Sequence, residues 1–102
     1  MIELKKEFKK KGINYIQIVQ TDNLFVYKLT LGNDVWFEVF KRIIAKSDIY
    51  HDDEYEKFPN DEAFGQWAWS CSNVECVRKV LEREFPMEST SEICDICQYV
   101  LS

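Results

Sequence analysis

Glycine, proline and histidine are scarce: the 102 residues contain three glycines, two prolines and one histidine. Three scattered glycines form neither a phosphate-cradling loop nor a nucleophile elbow. The lone His51 excludes a two-histidine zinc site within one chain. No serine or cysteine is recognisably placed to complete a triad with it. No apolar run approaches the length of a membrane span. The charged N-terminus lacks the hydrophobic region of a signal peptide. These absences predict a soluble cytoplasmic protein with no catalytic residue, no cofactor, no resident metal and no membrane association. They do not predict an enzyme. Four cysteines in such a compartment are expected as reduced thiols.

Apolar side chains are plentiful. A hydrophobic content of 46% with 15% aromatics is enough to build a modest core, and the length fits one domain over 1–102. The net charge is −5, which disfavours general binding to phosphate backbones. The charge is unevenly spread. Residues 1–11 carry five lysines against Glu3 and Glu7, and 48–62 carry seven acids against Lys57.

The densest aromatic stretch is Phe58-Pro-Asn-Asp-Glu-Ala-Phe-Gly-Gln-Trp-Ala-Trp69. Pro59 pushes Phe58 into an extended conformation, and Asn60 can then cap a short helical turn with Asp61 and Glu62 at its start. Gly65 can end that turn in the left-handed region. From there Trp67, Trp69 and Cys71 alternate with smaller residues, which predicts a strand over Gly65–Cys71 with those three on one face.

The rest of the chain divides into predicted elements. Residues 1–12 read as an N-terminal helix, with Leu4 and Phe8 on one face and Gly12 as its cap. Ile13–Gln20, Leu24–Leu31 and Val35–Ala45 read as strands joined by turns at Thr21-Asp22-Asn23 and Gly32-Asn33-Asp34. Phe25, Tyr27, Leu29 and Leu31 should line the inner face. By analogy Val35, Phe37, Val39 and Ile43 should join them. That leaves Trp36, Glu38, Phe40, Arg42 and Ile44 outside, a face too apolar to stay wet. Either the N-terminal helix or a partner should cover it.

Ser72-x-x-Glu75 and Ser89-x-x-Glu92 are capping boxes that open two further helices. The first runs over Asn73–Phe85, with an apolar stripe of Val74, Val77, Val80, Leu81 and Phe85. The fold class expected is α+β. It is a four-stranded antiparallel meander with helices packed on it, a ββββα core over 13–85 and a helical extension over 86–102.

Two clusters raise metal binding. The acidic run with Asp52, Asp53, Glu54 and Glu56 has the wrong spacing for an EF-hand and reads as a solvated acidic surface. Cys71, Cys76, Cys94 and Cys97 could supply four zinc ligands, but they lack the glycine-rich knuckle of zinc ribbons. Buried, inert thiols are the plainer reading.

The residues Phe37-Glu38-Val39-Phe40, the run Phe58–Trp69 and the helix near Cys76–Leu81 together resemble uncharacterised small proteins of bacteriophages and mobile elements of gut Bacteroidetes. The resemblance covers 1–85 and brings no function with it. It implies a bacterial, phage-related setting.

The expected function is therefore a non-catalytic protein-interaction module. Its contact face would comprise Trp36, Phe40, Arg42 and Ile44, meeting an unknown protein or a second copy of the chain. Two alternatives stay open. One is a single-stranded nucleic-acid-binding domain that stacks bases on Trp36 and Phe40, with Arg42, Lys5, Lys9 and Lys10 on phosphates. The other is a zinc-stabilised module built on the four cysteines.

Overall fold

A computed structural model describes residues 1–46 and 53–102. The chain is α+β. Strands β1 (Glu7–Lys10), β2 (Ile13–Gln20), β3 (Leu24–Leu31), β4 (Asp34–Lys41) and β7 (Ala68–Cys71) form one antiparallel sheet in the order β1-β2-β3-β4-β7. Two short strands, β5 (Ile44–Ala45) and β6 (Tyr55–Glu56), pair beside it, and Ile2 bridges to Tyr55. Helices α1 (Val74–Glu84) and α2 (Thr90–Tyr99) follow. Among the described residues no helix is long and apolar enough to cross a membrane.

The sheet has one more strand than the sequence suggested, because the N-terminal helix does not form. Residues 7–10 pair with β2 instead, and a two-residue turn joins the two strands. Both turn residues, Lys11 (φ 53°) and Gly12 (φ 81°), have positive φ, as a type I′ hairpin requires. Gly12 thus takes the left-handed conformation expected of it, but in a hairpin rather than a helix cap. A helix would have docked through Leu4 and Phe8 alone. In the strand, Phe8 stacks on Tyr15 at 4.6 Å and the backbone pairs with β2 as well. The β3–β4 turn also has two residues, with Gly32 at φ 59°, the position a type II′ turn reserves for glycine.

Both faces of the sheet are buried. On one face, Val19, Val26, Phe37, Val39, Trp69 and Cys71 pack beneath the helices. On the other, Tyr15, Phe25, Tyr27, Leu29, Phe40 and Ala68 pack beneath Phe58, Phe64, Trp67 and the N-terminal arm. The β3–β4 register sets Phe25 opposite Phe40 and Leu29 opposite Trp36. The inner row of β3 therefore continues into Trp36 and Phe40, correcting the expectation that Phe37 and Val39 would share its face. Leu31 lies exposed at the strand end. The poor alternation of β2 has a cause too. The register slips between Gln17 and Val19, so Ile18 and Val19 both pack toward the helix side.

The element ends follow local chemistry. β4 ends at Lys41, and one further rung in the same register follows, the Arg42 N–H donating to the Asn23 carbonyl at 2.8 Å. Asn60 accepts from the Ala63 N–H and caps the short turn Asp61–Ala63, and Gly65 follows at φ 89°. β7 begins only at Ala68. Trp67, still in the turn, faces the aromatic side while Trp69 and Cys71 face the helices. Asn73, rather than Ser72, caps α1 through a bond from the Cys76 N–H. Ser89 stands at the start of α2 but makes no side-chain capping bond. Helix α2 contributes Ile93, Cys94 and Cys97 to the same core as α1.

Candidate functional site

The expected contact face is largely taken up inside the chain, with only Ile44 exposed among its four residues. Phe40 is fully enclosed, and Phe58 meets it edge-on at 5.5 Å. Arg42 donates from Nε to Glu56 Oε2 at 2.8 Å in a largely buried ion pair. Trp36 is partly buried in the aromatic cluster, and Ile44 lies in the small side sheet. Trp36 and Phe40 share the aromatic cluster, but the four residues do not form one exposed face. The cover over the aromatic face is intramolecular, as one of the two expectations had it, although the 53–67 segment and a strand supply it instead of a helix.

That cover is irregular chain, so its polar groups need partners from side chains. Glu56 provides several at once. One carboxylate oxygen takes Arg42 and the other accepts from the Leu4 N–H at 2.9 Å. Tyr27 OH donates to the Lys5 carbonyl at 2.7 Å and accepts from Gln17. Burial raises the Tyr27 phenol above its ordinary value, partly opposed by the Gln17 bond and reinforced by the Glu56 charge. Phe58 is the hub of the cluster, edge-on to Phe8, Tyr15, Tyr27 and Phe40 at 5.5–5.9 Å.

The acidic surface is only partly where it was expected. Glu56 is 5% exposed and belongs to the interior. Asp53 is exposed and binds the N-terminal amine at 2.7 Å, which lowers the Asp53 carboxyl and raises the amine. Glu54 is exposed. Asp52 lies outside the described residues, as do Asp48 and His51.

The cysteines divide between strand and helices. Cys71, at the end of β7, lies beside the Cys76 thiol, while Cys94 and Cys97 sit on the inner side of α2. Burial raises the thiols of Cys71, Cys94 and Cys97, the last to about 12. Thiols held this way stay protonated and unreactive. Among the described residues no three or more His, Cys, Asp or Glu gather as a metal-holding group, and the four cysteines are no exception.

One part of the aromatic face remains open. Leu4, Phe8 and Phe58 floor a shallow cleft of about 280 Å³, with Lys5 and Lys10 on its rim. It lies against β1, the edge strand of the main sheet. Nearby, Glu38 stands on the same sheet face. Desolvation raises its carboxyl above the usual range, and the Lys10 charge partly offsets this. Tyr15 is raised by burial and by the Glu38 charge. A second cavity, about 260 Å³, lies between the β2–β3 turn and the end of α1, with Lys41, Arg42 and Glu84 among its walls. Its wall is mixed in charge, and its arginine is already paired.

Sequence reasoning put Leu4 and Phe8 on one face and grouped Lys5 with Lys10, but it missed their union with Phe58. No local spacing joins residue 58 to residue 8. Only the fold of the 53–67 segment over the sheet brings them together. The nucleic-acid reading meanwhile loses its Phe40 platform and its Arg42 cation. Compared with known proteins, the chain matches no family model, no curated protein and no solved structure.

Proposed function

We propose that this chain is a small non-catalytic interaction module that acts in the cytoplasm, in a phage or mobile-element setting. Its contact surface is the lysine-rimmed cleft at Leu4, Phe8 and Phe58, and the Trp36–Phe40 face is its interior. The observation that carries the reading is the opening itself. Over Phe25, Tyr27 and Phe40 the aromatic face is closed by its own chain, whereas here an apolar floor meets the surface between two cations. Such a floor with a charged rim is the anatomy of a contact patch. The polar groups around it support a binding role over a chemical one, since Glu56 is committed to Arg42 and the Leu4 N–H, and Tyr27 to Gln17 and the Lys5 carbonyl. The phage or mobile-element setting rests on the sequence resemblance alone.

A photo-reactive amino acid in place of Lys5, with a second version in place of Asn33 at the far turn, tests this. Cross-linking from the Lys5 position alone, abolished by Lys10→Glu, is the expected result. Equal capture from both positions would mean the cleft is ordinary surface.

A further inference from the structure

The open side of β1 carries information that the cleft alone does not. In a two-residue hairpin the residues flanking the turn, Lys10 and Ile13, exchange backbone hydrogen bonds. Pairing then alternates along the strand. Phe8 bonds to Tyr15, and the Gln17 N–H donates to the Lys6 carbonyl at 2.7 Å, which continues the same phase. The amides and carbonyls of Glu7 and Lys9 therefore point away from β2, toward the edge of the sheet. Both residues are exposed, and β1 ends the strand order. The edge is also strongly charged, for Lys5, Lys6, Lys9, Lys10 and Lys11 lie within seven positions of a chain whose net charge is −5.

We infer that β1 accepts an acidic, extended segment of another protein as a sixth strand, with one apolar side chain of that segment seated in the Leu4–Phe8–Phe58 cleft. The inference rests on the cleft being a contact surface and names what it contacts. Backbone pairing to Glu7 and Lys9 supplies affinity, and alternate side chains supply specificity. Residues of the added strand that face the aromatic side fall next to Phe8 and Lys10, and the others fall next to Glu7 and Lys9. An apolar residue flanked by acids fits the first row. A second copy of this chain does not fit. Two β1 edges would bring ten lysines together, the arrangement by which edge strands avoid their own kind. The same lysines attract a strand of opposite charge.

The test uses the intact protein and a capped heptapeptide, Glu-Val-Glu-Leu-Glu-Val-Glu, with its lysine counterpart as control. Backbone amide shifts and amide exchange are followed by NMR. The acidic peptide should shift the Phe8 and Phe58 environments and protect the Glu7 and Lys9 amides, and the lysine peptide should do neither.

Lys9→Pro removes an outward N–H while leaving the β2 pairing intact, since proline is tolerated on the free side of an edge strand. It should weaken binding by about tenfold or more, as a lost backbone bond and a steric block combine. Lys9→Gln keeps the N–H and should weaken binding only slightly. Protection of the Phe8 and Lys10 amides, which face β2, reports whether Lys9→Pro has merely damaged the hairpin.

Cleft shifts that survive Lys9→Pro at full affinity would overturn strand addition while sparing the cleft as a contact surface. The absence of any shift at Phe8 and Phe58 would overturn both. An oligothymidylate that occupies these residues when the acidic peptide does not, or a dimer joined at β1, would replace the inferred partner.

Discussion

The helix-covered face of the sheet packs Val26, Val39 and Cys71 against Val77, Leu81 and Phe85, without a buried charge among the described residues. The aromatic face packs Tyr15, Phe25, Tyr27 and Phe40 beneath chain that is mostly neither helix nor strand, and it holds the Arg42–Glu56 pair. The difference follows from the two covers. A helix satisfies its own backbone and can present an apolar stripe alone. An irregular segment brings unpaired N–H and C=O groups, so it needs Glu56, Tyr27 and Asn60 to receive or supply hydrogen bonds. The aromatic face is thus held by a few polar contacts in addition to its rings. Where that cover stops short, at the β1 edge, the cleft opens.

The largest effects should come from removing rings or aliphatic bulk, and they compare the two faces directly. Phe40→Ala on the aromatic face should cost about 4 kcal/mol and Leu81→Ala on the helix face about 3 kcal/mol, measured by urea unfolding. Both side chains are fully buried. If the irregular cover collapses into the space, Phe40→Ala will cost clearly less than Leu81→Ala, and the aromatic face is softer than its packing suggests.

Glu56→Ala separates the covers more sharply. It strands Arg42 and the Leu4 N–H together and should cost about 3 kcal/mol, the usual penalty for breaking a buried pair from one side. Hydrogen exchange should show the amides of 1–4 and 54–67 losing protection while α1 and α2 keep theirs. The corresponding change on the helix side is Asn73→Ala, which removes the cap on the Cys76 N–H and should cost about 1 kcal/mol. Uniform loss of protection after Glu56→Ala would mean the cover is not a separable unit.

The same contrast explains what could be read from the sequence. The helix side was legible because its signals are local. The α1 stripe repeats at helical spacing, and Pro86 punctuates the chain by short-range chemistry. The aromatic side was legible only in part. The strands over 13–41 were visible in their β-branched and aromatic runs. The choice of inner face on β4 was not, because both of its rows are apolar and cross-strand register decides which row joins β3. The segment 1–11 was misread because Leu4 and Phe8 fit a helical spacing equally well, and the deciding term is pairing with β2 across the Lys11-Gly12 turn. Lys11 in a position that asks for positive φ gave no turn signal of the Asn-Gly kind. Arg42 and Glu56 read as surface charges because each is innocuous in its own neighbourhood.

The smallest effect expected is also the one most specific to the aromatic face. Burial raises the Glu38 carboxyl above its unfolded value, and the nearby Lys10 charge only partly offsets this. A carboxyl raised in the folded state favours folding while protonated. That contribution is fully present below the unfolded pKa and is lost as pH rises through the raised, folded one. Glu38→Gln keeps the shape and removes the titration. Its stability relative to the parent protein should therefore grow with pH across that window and then level off. Midpoints of urea unfolding for both proteins, taken from mildly acid to neutral pH, read this directly. The helix face serves as the control. Its Cys97 thiol is pushed up to about 12 and stays protonated throughout, so Cys97→Ser should shift the midpoint by an amount that does not depend on pH. A pH-independent gain from Glu38→Gln would place the carboxylate in water and remove this contrast between the two faces.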